Sequence, residues 1–262
     1  MAYFRGGASR KSLEYYLDYS IGFVTRGCIR GCKFCVNKNY KKCVRHSSVY
    51  EWMDVDRPYI CCLDDNVFSC VDWKKIFHEL QSTGKRFQFK QGCDERLLTD
   101  EKCEELFVKS KWIGDYIFAF DNIQDKELIK HKLELVRSHT NKILKFYVFC
   151  GFNHNSEVYD ENFWIQDIKD TFERISILAK NGCLPYIMRH NNYHNSPFRG
   201  MYINLARWCN QVNMFKKTSY REFLEVNRNT TKKECSTIRY TNEFLAVCPE
   251  IEKYFDIRFK KA

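Results

Sequence analysis

Six short apolar runs recur along the chain, at residues 20–25, 59–63, 86–90, 115–120, 143–150 and 184–189. Each is about strand length and rich in β-branched or aromatic residues. Between them lie stretches with apolar residues three and four apart. The first, 72–83, carries Trp73, Ile76, Phe77 and Leu80, and a second, 100–109, follows Thr99, a ready N-cap. A third, 126–138, repeats Leu128, Ile129, Leu133 and Val136. The longest, 159–181, has Phe163, Ile165, Ile168, Phe172, Ile175 and Leu178, with Gly182 to end it. Strands alternating with helices call for βαβ units and a parallel sheet. Strands that are apolar throughout suit a sheet covered on both faces. An open doubly wound sheet and a full or partial β/α barrel both satisfy this pattern, and periodicity does not choose between them. After Arg189 the pattern changes: a polar loop at 190–199 precedes helical patterns near 201–210, 220–227 and 242–253. With no repeat and no Pro/Gly/Ser-rich linker, the chain reads as one domain. Its β/α core covers 1–190, and a C-terminal helical extension over 191–262 packs on the same core.

The 262 residues are 44% apolar and 16% aromatic, which is enough for a sizeable core and excludes wholesale disorder. No run approaches the roughly 18 apolar residues of a membrane span. The start, Met-Ala-Tyr-Phe-Arg-Gly-Gly, lacks a signal-peptide pattern. The expectation is a cytoplasmic protein with no membrane partner. In that compartment thiols stay reduced, so the 14 cysteines are not a disulfide framework. Some of them call for a metal or a cluster.

The sharpest candidate is Cys28-Ile29-Arg30-Gly31-Cys32-Lys33-Phe34-Cys35, three thiols at spacing x3 then x2 in a loop after the first strand. Three clustered thiolates can hold an iron–sulfur cluster and leave one iron of a four-iron cube open to another molecule. A structural zinc site wants four protein ligands, which His46 or Cys43 would have to complete in no familiar finger spacing. Three reduced, unliganded cysteines are the remaining reading. The motif, with Phe34 before its last cysteine and Gly22-Phe23-Val24-Thr25-Arg26-Gly27 leading in, resembles that of the radical S-adenosylmethionine (radical SAM) superfamily. The likeness extends over about residues 18–190. It implies that Cys28, Cys32 and Cys35 bind a 4Fe–4S cluster whose open iron chelates SAM. It also implies a flavodoxin- or ferredoxin-like electron donor, reductive cleavage of SAM to a 5′-deoxyadenosyl radical, and hydrogen abstraction from a substrate. The fold it implies is a partial (β/α)6 TIM-like barrel.

Ligands of parallel β/α folds gather at the C-terminal ends of strands, and nearly every strand end here is polar. After the second come Asp64, Asp65 and Asn66. The superfamily has a Gly/Glu-containing motif here that holds the SAM ammonium. This chain lacks those glycines, but the three side chains offer acceptors for an ammonium or N-caps for the next segment. After the third, Asp94 and Arg96 share a face if extended. They suit the SAM ribose and carboxylate, or a mutual ion pair. Asp121 follows the fourth strand as a ligand contact or a helix cap. Asn153 follows the fifth, and Arg189, His190 and Asn191 the sixth. Together with Phe34, the residues Asp64, Asp65, Asn66, Asp94, Arg96, Asp121, Asn153 and Arg189 are the candidate cofactor contacts. The eleven other cysteines form no second motif and read as small buried hydrophobes.

The net charge of +10 is uneven. Residues 25–48 carry seven Lys/Arg and no Asp or Glu, and residues 189–240 carry ten Lys/Arg and three Glu. Interleaved Tyr40, Tyr193, Phe198, Tyr202, Trp208, Phe215 and Tyr220 can stack on bases while cations track phosphates, or lie beneath a solvated basic surface. The segment 199–211 would put Asn204, Trp208 and Gln211 on one helical face and Arg207 and Asn210 on another. It is either a substrate-reading helix or a packing helix, and it resembles C-terminal segments of uncharacterised bacterial and phage radical SAM proteins. Candidate substrate contacts are Arg30, Lys38, His190, Asn204, Arg207 and Trp208. The reading is a radical SAM enzyme acting on an anionic substrate, RNA, DNA or a nucleotide first. The alternatives are radical modification of a peptide or protein side chain, and a non-catalytic metal- or nucleic-acid-binding protein.

Overall fold

The computed structural model describes residues 17–37, 41–228 and 235–261. The chain divides into two compact units, Met1–Gly114 and Asp115–Ala262. It is a mixed α/β protein, and all six apolar runs form strands in two three-stranded parallel sheets. No closed barrel is formed among the described residues. No helix among them is long and apolar enough to cross a membrane.

In the first unit, β1 (Tyr19–Gly22) is followed by a two-residue antiparallel pair, β2 (Thr25–Arg26) with β3 (Val44–Arg45). Then come β4 (Tyr59–Cys62) and β5 (Arg86–Phe89), and the sheet order is β1-β4-β5. Helix α1 (Trp73–Ser82) buries Ile76, Phe77 and Leu80 against this sheet. The Phe77 ring lies 6.0 Å from Phe87 and 5.7 Å from Phe89, edge-on to the first. Each buried Phe contributes about 1.5–3 kcal/mol, so three residues at helical spacing suffice to fix the helix on the sheet. Helix α2 (Asp100–Cys103) is capped by Thr99, whose hydroxyl accepts from Lys102 N at 3.3 Å. It then widens into a π turn over Glu104–Lys109. There the Ser110 hydroxyl donates to Glu105 O at 2.6 Å, giving the carbonyl a partner where the α-helical ladder stops.

In the second unit, β6 (Tyr116–Ala119), β7 (Leu144–Cys150) and β8 (Cys183–Arg189) pair in that order. Helices α3 (Lys126–His139) and α4 (Glu161–Lys180) intervene. Along β7 burial alternates strictly: Leu144, Phe146, Val148 and Cys150 are buried, whereas Lys145, Tyr147 and Phe149 are only half-buried. On β8, Tyr186, Met188 and Arg189 are exposed. The sheet therefore has one covered face and one aromatic, open face, a departure from the two covered faces that apolar strands imply.

Residues 191–261 belong to this same unit. They form α5 (Arg199–Cys209), α6 (Val212–Lys217), α7 (Tyr220–Arg228) and α8 (Ser236–Leu245). Helix α5 packs on β8 and α8. Gly200 permits the second contact, because a Cβ there would lie 2.2 Å from the Tyr240 ring. Tyr220 fills the centre, with Trp208 at 5.3 Å, Phe172 at 5.2 Å and Phe255 at 4.9 Å.

Candidate metal centre

The three-cysteine loop leaves and re-enters the first unit through the β2–β3 pair, which closes its base together with His46 N donating to Val24 O at 2.9 Å. Gly27, at φ 94°, turns the chain out of β2 immediately before Cys28. The return is held by Arg45, which pairs with Glu79, while Glu79 also accepts from Val49 N at 2.6 Å and the Ser48 hydroxyl at 2.8 Å.

The outgoing limb is held by three consecutive residues, Asp64, Asp65 and Asn66, that follow β4 and Leu63. Asp64, fully buried, accepts from Val24 N at 3.2 Å and from both the amide and the hydroxyl of Thr25. Asp65 accepts from Gly27 N at 3.3 Å. Asn66 Nδ2 donates to Cys28 Sγ at 3.3 Å. These side chains thus build the loop, a role additional to the ammonium contact or helix cap considered for them. Burial pushes the Asp64 carboxyl above its ordinary range, against the pull of its hydrogen bonds from Thr25 and Val24. Asn66 flanks the 3-10 turn Val67–Ser69 without capping it through its side chain, and its Oδ1 is buried without a hydrogen bond.

Asp94 ties the loop to the end of β5. It is buried and accepts from Arg30 Nε at 2.7 Å, Arg96 Nε at 2.8 Å and Asn66 Nδ2 at 3.3 Å. Burial raises its pKa, but the hydrogen bonds and charges of Arg96 and Arg30 outweigh that, so it is held below the usual carboxylate range. The ion pair considered for Asp94 and Arg96 forms, with Arg30 as a third member. Asp94 is therefore committed within the protein and does not present a bare carboxylate to a ribose. Arg30 also donates its backbone N–H to Cys28 Sγ at 3.3 Å. Cys28–Asn66–Asp94–Arg30 accordingly closes into a ring of hydrogen bonds.

The 14 thiols are all free and divide by exposure. Cys28, Cys32, Cys35 and Cys235 are part-exposed and the other ten are buried. Burial pushes Cys62, Cys93, Cys150 and Cys209 well above the ordinary thiol range and Cys183 up to about 12. Those thiols stay protonated and are poor ligands. Cys43 is buried and raised too, by burial first. Among the described residues no three His, Cys, Asp or Glu side chains converge on a point that would hold a single ion. A four-iron cluster does not require convergence, since each thiolate takes a different iron. Its thiolates are also stabilised by N–H donors of the kind seen here, two on Cys28 and one, Asn37 N at 3.4 Å, on Cys35. Part-exposed thiols with such donors are compatible with a cluster. Phe34 is half-buried within the loop, and Lys38 lies outside the described residues.

The remaining sequence candidates lie in the second unit. Asp121 Oδ1 accepts from Phe149 N at 3.3 Å, tying the end of β6 to β7, and the cap that was its alternative role is supplied by Asn122. Asn153 folds its own loop, accepting from Asn155 N and Ser156 N and donating to Val158 O. His190 Nδ1 accepts from Asn192 N at 3.3 Å. The exposed Arg189 lies over the Tyr193 ring at 4.6 Å, beside an open cleft of about 450 Å³ also lined by Phe149, Tyr186, Met188 and His194.

The segment 199–211 is a packing helix at the positions singled out as substrate contacts. Asn204 is buried and donates to Thr237 O at 2.9 Å, and Trp208 is buried with Nε1 donating to Thr218 O at 3.2 Å. Arg207 bonds Thr237 and Asn227. Two side chains that sequence reasoning passed over, Arg174 and Asp167, organise this unit together with Asn210, which the sequence only placed on a helical face beside Arg207. Arg174, buried on α4, donates to the carbonyls of Phe120, Asp121 and Phe149 at 2.8–2.9 Å. Asp167 accepts from Gly151 N and the Tyr202 hydroxyl, each at 2.7 Å. Asn210 brackets Ile187, accepting from its N–H at 2.7 Å and donating to its carbonyl at 3.1 Å. A charged residue inside the apolar helix pattern of 159–181 was the available signal for the first two.

Compared with known proteins, the chain matches no family model and no curated protein.

Proposed function

We propose that this chain is an iron–sulfur enzyme of the radical SAM type acting on an anionic substrate, nucleic acid or a nucleotide first. The observation that carries the reading is the cysteine loop. Three part-exposed thiols lie in a loop tied through Cys28 and Arg30 to Asn66 and Asp94, which follow the parallel strands β4 and β5, with N–H donors on Cys28 and Cys35, while ten of the other eleven are sealed in the core. In this reading the two parallel sheets are the halves of a partial (β/α)6 barrel. When bound, a 4Fe–4S cluster and SAM supply a 5′-deoxyadenosyl radical after one-electron reduction by a flavodoxin- or ferredoxin-like donor.

The chain's own residues have definable tasks. Cys28, Cys32 and Cys35 are the cluster ligands. Asp64 and Asp65 hold the loop backbone that presents them. Asn66 Oδ1, buried and lacking a hydrogen bond, is an acceptor for the SAM ammonium. Arg96, fixed by Asp94, supplies positive charge for its carboxylate. The open aromatic face of β7 and β8, with Arg189 at its rim, is suited to a base and a phosphate.

The charge argument for the substrate is narrower than the raw counts. Arg30, Arg45 and Arg221 are paired with carboxylates. Lys41, Lys42, Arg199, Lys216 and Lys217 are exposed and carry the electrostatic case. Anaerobic reconstitution tests the centre. The wild type takes up iron and sulfide and turns brown, and the Cys28, Cys32 and Cys35 to Ala triple variant does not. A folded wild type that takes up neither refutes the assignment.

A further inference from the structure

We propose that Asn66, held by Asp94, is the positioning residue of the Cys28 sulfur and raises the reduction potential of the centre that the loop binds. The inference rests on the cluster reading and deepens it.

The amide of Asn66 can face only one way. Asp94 is ionised between two guanidiniums, so its oxygens are acceptors. The group facing Asp94 Oδ2 at 3.3 Å must therefore be Nδ2, because Oδ1 would set two acceptors against each other. One N–H of Nδ2 goes to Asp94 and the other is left for Cys28 Sγ, at 3.3 Å. Both hydrogens are engaged, and the residue is 3% exposed, so the side chain has no room to turn away. Arg30 closes the same ring, with its side chain on Asp94 and its backbone N–H on Cys28.

Hydrogen bonds to the sulfurs are among the determinants of cluster potential. A donor stabilises the more negative, reduced state, so it raises the potential. Cys28 receives one such bond from the Arg30 backbone, which a side-chain truncation leaves in place, and one from Asn66, which can be deleted.

The test compares wild type with Asn66→Ala and Asn66→Asp after anaerobic reconstitution. Asp keeps the shape and removes the donor. The readouts are the midpoint potential, from titration followed by the electron paramagnetic resonance of the reduced cluster, and the iron affinity. Both variants are expected to shift to lower potential, Asp further than Ala because it adds a negative charge. Iron affinity is expected to fall roughly 10- to 100-fold. Unchanged potentials in loaded variants overturn the inference and leave the cluster assignment standing. Lower affinity with an unmoved potential also overturns it, since a scaffold role alone gives that result. A wild type that loads no iron removes the cluster assignment and this inference together. If Ala fails to fold, the isosteric Asp variant decides; if both fail, Asn66→Ser, which restores a hydroxyl donor, must recover a higher potential than Asn66→Gly or the inference falls.

Discussion

Two guanidiniums on one buried carboxylate make Asp94 the electrostatic hub of the cysteine loop. Its folded pKa lies below the ordinary value of 3.8, so the unfolded chain binds the proton more tightly. The stability that Asp94 contributes is therefore complete above that value and is lost as pH falls through the lower, folded pKa. Asp94→Asn should lower the unfolding midpoint at neutral pH and flatten its acid dependence below 3.8. Parallel acid profiles for the two proteins would contradict this. A second residue-scale prediction concerns the thiols. Without a cluster, alkylation under native conditions should label Cys28, Cys32, Cys35 and Cys235 and spare the ten buried cysteines. Cys235 belongs in that set because hydrogen bonds from Ile238 and Thr237 outweigh its partial burial and lower its pKa. Mass mapping of a buried thiol among the early products would count against the division. The three-cysteine loop was legible because eight consecutive residues hold the whole motif. The role of Asp64 was not, because it joins backbone 40 residues away and no local pattern announces such a bond.

Among the elements, the strands were the most legible, since each apolar run was long enough to display its composition. The β2–β3 pair and α6 were not, being two and six residues long, too short for any period to register. The π turn of Glu104–Lys109 was hidden for another reason: it keeps apolar residues at helix-like spacing and differs in its i→i+5 backbone bonding, which sequence does not display. Helix α4 carries the strongest element-scale prediction. Arg174 satisfies three strand-end carbonyls from within the core, so Arg174→Met should cost about 3 kcal/mol or more through unsatisfied acceptors. Arg174→Lys should recover only part, because one ammonium does not reproduce the fork. Chemical denaturation measures both, and a Met variant within about 0.5 kcal/mol of wild type would contradict the role.

For the whole molecule, the division after Gly114 left no mark in composition, since the residues on either side continue the same alternation of strand and helix. Nor did net charge by segment reveal how many cations are already neutralised; that required knowing that Glu79, Asp94, Glu252 and Asp256 stand opposite them. The exposed Lys41 and Lys42 remain beside the loop in sequence. If they contact phosphates, Lys41→Ala/Lys42→Ala should reduce the slope of log affinity against log salt for single-stranded RNA by about 1.4. An unchanged slope would remove these lysines from the interface.

The central claim is that the loop binds a cluster that cleaves SAM. Its most direct measurement is the yield of 5′-deoxyadenosine and methionine when the reconstituted protein is given SAM and a strong one-electron reductant without oxygen. The account predicts reductant-dependent formation of both, abolished in the Cys28, Cys32 and Cys35 to Ala variant. A fully iron-loaded wild type that leaves SAM intact would contradict it.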